Sequence, residues 1–470
     1  MQLIFHKFKS ATGCYVFDTS TNSIIQLDEK EYDELDRFEE EPRTSNKVLD
    51  RYKNKGFFNA IDIKEIAHNE TRYLSSHLLR KQEMVILQVT QKCNLRCSYC
   101  PYSESGGYSD RRHANVSMSL ETAKKAIDFM FANSADSLTN QVAFYGGEPL
   151  LELDFIRACV EYIKGEYPEK SVSYVITTNG TLLTSDTYEF LANEKFNIAV
   201  SIDGSELLHD QHRTFPNGDG TYGAIMKNLE EINLRYPESS RNITINTVIS
   251  PQDDELCNEM VYKVDEVIKY NRVEASFLSD FNIENPYEYT DAFNALYQRE
   301  LFKLLLYLIG RVPVEATSKI LNGMIRTINK EYERLFRLEK FPEVLHPGGT
   351  CIPGGSRLFI DVNGNFYPCE KASGNSSAMK IGSLETGFDI RKIEGMLNVG
   401  KIASDYCKKC WAVLHCTICA VIADGSTGLD AEKVITRCYR TRYQYQEMLK
   451  MICFLKSNGY RFNDSLEGVR

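Results

Sequence analysis

No run of about 18 apolar residues occurs anywhere in these 470 residues, so no segment has the length of a membrane-spanning helix. The opening Met1-Gln-Leu-Ile-Phe-His-Lys-Phe-Lys lacks the charged, apolar and small-residue zones of a secretory signal. Basic residues are also short: 55 Lys and Arg face 65 Asp and Glu, a formal charge of −10, which argues against a nucleic-acid backbone as main partner. No internal repeat and no low-complexity tract is present. These absences lead to the expectation of a cytoplasmic chain without membrane or nucleic-acid partners, in a compartment where thiols stay reduced. What remains is an ordinary folded composition, 43% apolar and 26% charged, long enough for two or three domains.

Fourteen cysteines in such a chain need a reason. Four are isolated, Cys14, Cys159, Cys257 and Cys453, and are expected to be buried thiols acting as small apolar side chains. The rest are grouped. Cys93, Cys97 and Cys100 form C-N-L-R-C-S-Y-C, with the aromatic Tyr99 just before the last thiol. Three thiolates at this spacing can hold three irons of a 4Fe–4S cube and leave the fourth open to a small molecule. The alternatives are a zinc site or a disulfide. Zinc sites usually add a second Cys pair or His, and here the nearest His, His113, is 13 residues past Cys100. The triplet resembles that of the radical S-adenosylmethionine (SAM) superfamily, in which the open iron takes the amine and carboxylate of SAM.

Residues 84–289 read as strands alternating with helices. The strand candidates are Met84–Val89, Gln141–Tyr145, Val172–Ile176, Asn197–Ile202, Ile243–Ile249 and Glu274–Leu278. Between the first two, Ala123, Ala126, Ile127, Met130 and Phe131 have helical spacing behind an N-cap at Ser119. This pattern implies an α/β fold with a parallel sheet. By resemblance it is the partial, TIM-like (β/α)6 radical SAM barrel, with its site at the carboxyl ends of the strands. Ahead of it, residues 1–83 hold three strand candidates, Leu3–Phe8, Cys14–Asp18 and Ser23–Leu27. A helix over Glu29–Phe38 and short helices over Lys47–Lys55 and Ile63–His68 follow. This resembles the winged-helix-like recognition domain of peptide maturases, whose edge strand accepts the leader of a precursor peptide. Residues 290–345 read as a helical bridge and 346–470 as a C-terminal cysteine domain.

The barrel candidates end in further motifs. Tyr145-Gly146-Gly147-Glu148-Pro149 resembles the Gly-Gly-Glu-Pro motif that binds the SAM amine. Its glycines let backbone approach a ligand, and its carboxylate can accept from an ammonium group. The resemblance further implies that Thr178 and Asn179 line the SAM pocket, and that Ser201 and Asp203 contact the ribose or methionine part. It also places Arg213 on the SAM carboxylate, with Asn246 and Val248 flanking the adenine.

The C-terminal series runs Cys351-x12-Gly364-x4-Cys369, then Cys407-x2-Cys410-x5-Cys416-x2-Cys419, then Cys438. It resembles the SPASM domain, which carries two auxiliary 4Fe–4S clusters. The usual inner run ends in Cys-x3-Cys, and this one is a residue short at Cys419. Carried over, the family pattern assigns Cys407, Cys410, Cys416 and Cys438 to an outer cluster and Cys351, Cys369 and Cys419 to an inner one. Arg357 stands where the fuller pattern has another Cys, so the inner cluster is expected to keep an open iron able to bind a substrate thiolate. Trp411 and His415, inside the run, read as packing residues. Paired zinc sites are the alternative for this series.

Together the motifs resemble thioether-forming maturases of ribosomally made, Cys-containing peptides, the sactipeptide and ranthipeptide type. The cofactors implied are three 4Fe–4S clusters and SAM, which yields a 5′-deoxyadenosyl radical. The implied partners are a precursor peptide and an electron donor such as flavodoxin or ferredoxin. Glu370, beside Cys369, is a candidate catalytic base for the substrate thiol. Rival readings are formylglycine formation, as in anaerobic sulfatase maturases (which have Asp where this chain has Glu370), carbon–carbon crosslinking of a peptide, and an iron–sulfur electron-transfer or sensor protein.

Overall fold

The computed structural model describes residues 2–40, 46–100, 113–237, 242–253, 264–278, 287–348 and 351–462. Six strands run parallel in chain order: β5 (Met84–Thr90), β6 (Asn140–Gly146), β7 (Val172–Thr178), β8 (Asn197–Ser201), β9 (Ile243–Ile249) and β10 (Arg272–Phe277). Each lies within a few residues of its sequence expectation. β5 is apolar on both faces and almost wholly buried, as expected of a strand between a packed barrel interior and covering helices. The helix Leu120–Ala132 forms as its spacing predicts. Ser119 accepts from the Thr122 amide, a cap worth about 1 kcal/mol, and the buried face is Ala123, Ala126, Ile127, Met130 and Phe131. β10 is mostly exposed and, among the described residues, pairs only with β9, so the sheet ends there.

The sheet does not stop at β5. On its other side β12 (Leu358–Ile360) pairs in parallel, and β13 (Asn365–Tyr367), β14 (Gly382–Ser383) and β15 (Gly387–Phe388) continue antiparallel, giving ten strands. The C-terminal cysteine region thus grows directly out of the barrel sheet.

At the N-terminus, β1 (Phe5–Ser10), β2 (Gly13–Asp18) and β3 (Ser23–Leu27) form an antiparallel sheet with β3 at one edge. Alternation gives it two apolar faces. Cys14, Val16, Ile25 and Leu27 pack on Leu35, Val48, Leu49 and Tyr52 from the helices Glu29–Glu40 and Lys47–Lys53. Phe8, Tyr15 and Phe17 pack on the long helix Ala431–Ser457 and on the helices Asp291–Leu308 and Asn322–Arg334.

The helix expected over Ile63–His68 is not formed. Those residues contain β4 (Glu65–Ile66), which pairs in parallel with β11 (Val344–Leu345), and the helix comes later, at Leu74–Arg80. The local apolar spacing fits either period, and a partner almost 280 residues away decides between them. Cys14, Cys159 and Cys453 are buried as expected; Cys257 lies outside the described residues. Among the described residues no helix is long and apolar enough to cross a membrane.

Candidate active site at the barrel mouth

The chain leaves β5 at Thr90 and enters the cysteine loop at once. Its path is fixed from two sides. From β6, the Gly147 amide donates to Thr90 O (2.8 Å) and the Glu148 amide to Lys92 O (2.9 Å). From the segment after β8, the loop accepts a clamp: Arg96 N donates to Thr214 O (2.8 Å) and Ser98 N to His212 O (2.9 Å). The two glycines are required by this contact. Gly146 has φ +141°, and a Cβ there would sit 2.3 Å from Thr90 O; at Gly147 it would sit 2.0 Å from Lys92 O. The close backbone approach anticipated for a ligand is thus also an approach of the motif to the strand that delivers the thiols.

Cys93, Cys97 and Cys100 converge closely enough for each thiolate to disfavour the others. Burial, the larger effect, pushes Cys93 up to about 12 and Cys97 to about 11, so the metal-free thiols keep their protons. All three line a cavity of about 920 Å³ that also takes in Tyr99, Tyr145, Gly146, Gly147, Thr178, Asn179, Ser201, Arg213, Asn246 and Val248. The sequence-chosen residues therefore meet on one wall, with three exceptions.

Glu148, Pro149 and Asp203 are buried behind that wall. The Glu148 carboxylate faces β7, accepting from the Thr178 hydroxyl (2.7 Å), the Asn179 amide (2.7 Å) and the Leu150 amide (3.1 Å). Burial raises it to about 7 despite these donors. Asp203 receives four donors: Tyr99 Oη and Arg213 Nε on Oδ2, Val248 N (2.9 Å) and Arg213 Nη2 (3.3 Å) on Oδ1. These four donors engage both oxygens of the carboxylate. Burial opposes its charge, but Arg213 and these hydrogen bonds hold Asp203 below the usual carboxylate range. The Arg213 guanidinium also lies over the Tyr99 ring, 5.4 Å from its centre.

Behind this triad sit residues to which the sequence assigns no role. His209 Nδ1 accepts from the Asp203 amide (3.1 Å) while its Nε2 meets Thr221 Oγ1 (3.0 Å), whose hydroxyl in turn donates to Arg213 O (2.9 Å). Burial, then Arg213, lowers His209 to about 4, so the ring is neutral, and its tautomer is set by these partners. Asn94 bridges Asn179 (2.9 Å) and Thr181 (2.8 Å). His212 spans Ser98 Oγ and Asp253 Oδ1, each at 3.1 Å. Nothing in the local sequence assigns these partners.

The C-terminal thiols lie in two groups. Cys351, Cys369 and Cys419 lie within electrostatic reach of one another. Cys407, Cys410, Cys416 and Cys438 do likewise, and burial pushes Cys407 and Cys416 up to about 12. Among the described residues, no three His, Cys, Asp or Glu converge as ligands of a single metal ion. A cube does not ask that of them, because its thiolates each take a separate iron. All three sets thus fit iron–sulfur ligation by donor type and grouping. Glu370 and Arg357 form an ion pair at 3.1 Å, and both line the cavity that holds the first triplet. Trp411 stacks on His6 at 4.0 Å, and His415 is buried between Asn22 (2.7 Å) and Glu331 (3.3 Å), so both pack as expected.

A partial parallel barrel with a three-thiol loop and glycine-rich turn at the carboxyl ends of its strands defines a radical-SAM type of enzyme. The Radical SAM superfamily pattern matches residues 87–261. An uncharacterized protein, MJ0907, of Methanocaldococcus jannaschii is 30% identical over 296 residues, covering 62% of this chain and 86% of that protein. The radical SAM cyclopropyl synthase TigE of Paramaledivibacter caminithermalis is 25% identical, covering 79% and 75%. A cysteine-type anaerobic sulfatase-maturating enzyme of Clostridium novyi is 29% identical over 36% of this chain and 44% of its own length. The solved structure of native anSMEcpe with bound AdoMet superposes with a TM-score of 0.57 at 19% identity, over 79% of this chain and 99% of that one, a likeness of fold. The chain belongs to the radical SAM superfamily, and with that membership come a 4Fe–4S cluster and SAM as cofactors.

Proposed function

We propose that this enzyme matures a ribosomally made, cysteine-containing peptide by joining a Cys sulfur to carbon in an intramolecular thioether. The observation that carries this reading is the shared cavity. The wall bearing Cys93, Cys97 and Cys100 faces the same space as Arg357 and Glu370, which neighbour the three-thiol set Cys351, Cys369 and Cys419. A substrate entering that space would meet the triplet on one side and the Arg357–Glu370 pair on the other, with Cys369 directly before Glu370 in the chain and the three inner thiols behind the lining. Loaded, the triplet's cluster would supply the electron that releases a 5′-deoxyadenosyl radical from SAM; that radical would take the hydrogen atom from the acceptor carbon, and a cluster held by Cys351, Cys369 and Cys419 would take up the electron left when sulfur and carbon join.

The protein's own residues bind and orient. Thr178, Asn179, Ser201, Asn246 and Val248 present short side chains and backbone to the cofactor. Arg213 and Asp203, bound to each other and to Tyr99, act as positioning residues for the cysteine loop. Glu370 would accept the thiol proton of the substrate Cys, with Arg357 holding its carboxylate in place. The exposed edge of β3 would take the peptide's leader by strand addition. Cys407, Cys410, Cys416 and Cys438 would hold a second auxiliary cluster, making about twelve irons in all.

Formylglycine formation is the second reading, favoured by the sulfatase-maturating relatives. Anaerobic mass spectrometry after addition of SAM, reductant and a candidate Cys-containing precursor separates the two. A product lighter by two hydrogen masses per crosslink, with thiols lost to alkylation, supports the thioether. Deoxyadenosine with an aldehyde product sinks it. Glu370→Gln with crosslinking unchanged across pH removes the base role.

A further inference from the structure

The hairpin turn between β2 and β3 reads Asp18-Thr19-Ser20-Thr21-Asn22, polar residues of the kind that make exposed loops. It is buried throughout, with none of these residues more than 3% exposed. Asp18 folds the turn on itself. Its carboxylate accepts from the Ser20 amide (3.1 Å), the Ser20 hydroxyl (2.8 Å), the Thr21 hydroxyl (2.6 Å) and the Phe58 amide (3.0 Å). The remaining polar groups reach into the C-terminal cysteine segment. Thr19 Oγ1 donates to Trp411 O at 3.1 Å. Asn22, at φ +54°, holds a left-handed conformation that Asn tolerates better than most residues. Its Nδ2 donates to Arg334 O (2.7 Å) and Phe336 O (3.1 Å). These two carbonyls fix the amide so that its Oδ1 accepts from His415 Nε2 at 2.7 Å. Around these bonds His6 stacks on Trp411 at 4.0 Å, and Phe17 meets Trp411 and His415 edge-on at 6.0 and 5.9 Å.

Trp411 directly follows Cys410 and His415 directly precedes Cys416, so the turn grips the outer set beside two of its thiols. At its other end the turn runs straight into β3, where Ser23 pairs with Asp18, and β3 forms one edge of its sheet. A single short piece of chain therefore joins that edge to the outer thiols. Polar groups buried this deeply are costly when unpaired, so the turn keeps its bonds together or loses them together. We propose that the turn Asp18–Asn22 positions the outer cysteine set and couples it to the edge of β3. Order in Cys407–Cys416 keeps the turn seated, and a peptide strand added to β3 keeps it seated from the other side. Each then favours the other by linkage. The purpose of this coupling rests on the peptide-maturase reading, in which the added strand is the precursor's leader, but its first test needs no peptide.

Amide hydrogen exchange is measured on the full chain, iron-loaded and after chelation, for wild type, Asn22→Gly and Thr19→Val. Asn22→Gly keeps the left-handed backbone and deletes the amide; Thr19→Val, the milder change, deletes one hydroxyl. Iron loading is expected to slow exchange over residues 19–27 of wild type by about ten-fold, a usual size for coupling between sites. In Asn22→Gly the slowing should shrink to about two-fold or less, with Thr19→Val in between. The same contrast in a chain lacking Cys93, Cys97 and Cys100 assigns the effect to the C-terminal thiols. A candidate Cys-containing precursor is then added. It should bind loaded wild type about ten-fold more tightly than chelated wild type, and its binding should slow exchange over 407–416, both effects fading in Asn22→Gly. A turn with a merely structural role would lower stability in the variants without making iron and peptide report on each other. Equal slowing in wild type and both variants, or no change over 19–27 on loading, overturns the coupling. A precursor that leaves β3 unprotected sinks the leader site of the proposed function instead, and the iron measurement still decides the coupling.

Discussion

The two places where thiols gather are built in opposite ways. The loop 93–100 hangs from regular structure: β5 delivers it, the turn after β6 grips it, and the 212–214 segment clamps its far side through backbone hydrogen bonds. The stretch 404–430, which carries Cys407, Cys410, Cys416 and Cys419, has only one helical turn at Ser404–Cys407 and the 3-10 turns Val413–His415 and Ala420–Ala423. Its outside support comes mainly through side chains, His415 against Asn22 and Glu331 and Thr19 on Trp411 O at 3.1 Å, with one backbone bond from Ala378 N to Ser426 O at 3.1 Å. A barrel can pre-form a metal site at its mouth because its own hydrogen bonds pay the entropy of the loop. A segment of turns depends on the metal for its order, as small metal domains do.

The largest effect should separate activity from fold. Replacing Cys93, Cys97 and Cys100 together with Ala should reduce dithionite-driven deoxyadenosine formation to background. The melting temperature of the metal-free protein should move by only a few degrees, because the loop's anchors are backbone groups. Formation at the wild-type rate would remove the triplet from the SAM site.

Next comes metal removal from loaded protein. Chelation should raise amide hydrogen exchange across 404–430 by orders of magnitude while β5–β8 keep their protection. Equal loss in both regions would erase the contrast.

A third test cuts the support on the barrel side. Arg213→Ala strands the Asp203 carboxylate, which is 1% exposed and otherwise neutralised by this arginine. The loss should be about 3–5 kcal/mol by denaturant unfolding of the metal-free protein. Adding Asp203→Ala should restore part of it, and a double variant as unstable as the sum would deny the coupling.

How much of this could be read from the chain follows the same division. The barrel strands, the Ser119 cap and the three-thiol loop are local patterns, and they formed where the periodicity and spacing placed them. The grouping of the C-terminal thiols came from a family pattern, since the spacing alone allows several pairings. What stayed hidden depends on distant partners. Asp203 is engaged by Tyr99, 104 residues earlier, and by Arg213, partners that no local pattern around it announces. Ile63–His68 became a strand through Val344 and Leu345. No local signal announced that β12 would extend the barrel sheet beyond β5.

The smallest effect concerns how each region takes up iron as pH changes. Burial raises every thiol whose shift is resolved in the three sets, Cys93 to about 12 and Cys97 to about 11, so at neutral pH the metal must displace protons. A raised thiol pKa means that the ligand form grows as pH rises, about ten-fold per unit for each thiol well below its pKa. Iron uptake should therefore be faster at pH 8.5 than at pH 7 in both regions. Each region has an arginine that opposes the burial shift, Arg213 at Cys97 in the triplet and Arg442 at Cys410 and Cys438 in the outer set, although all three thiols remain raised. Arg442→Gln should thus slow loading of the outer set a few-fold and leave the triplet's loading unchanged. The two can be told apart by repeating the uptake in a variant lacking Cys93, Cys97 and Cys100. Equal slowing at both sites would mean that Arg442 acts on the fold as a whole and not on the two thiols it faces.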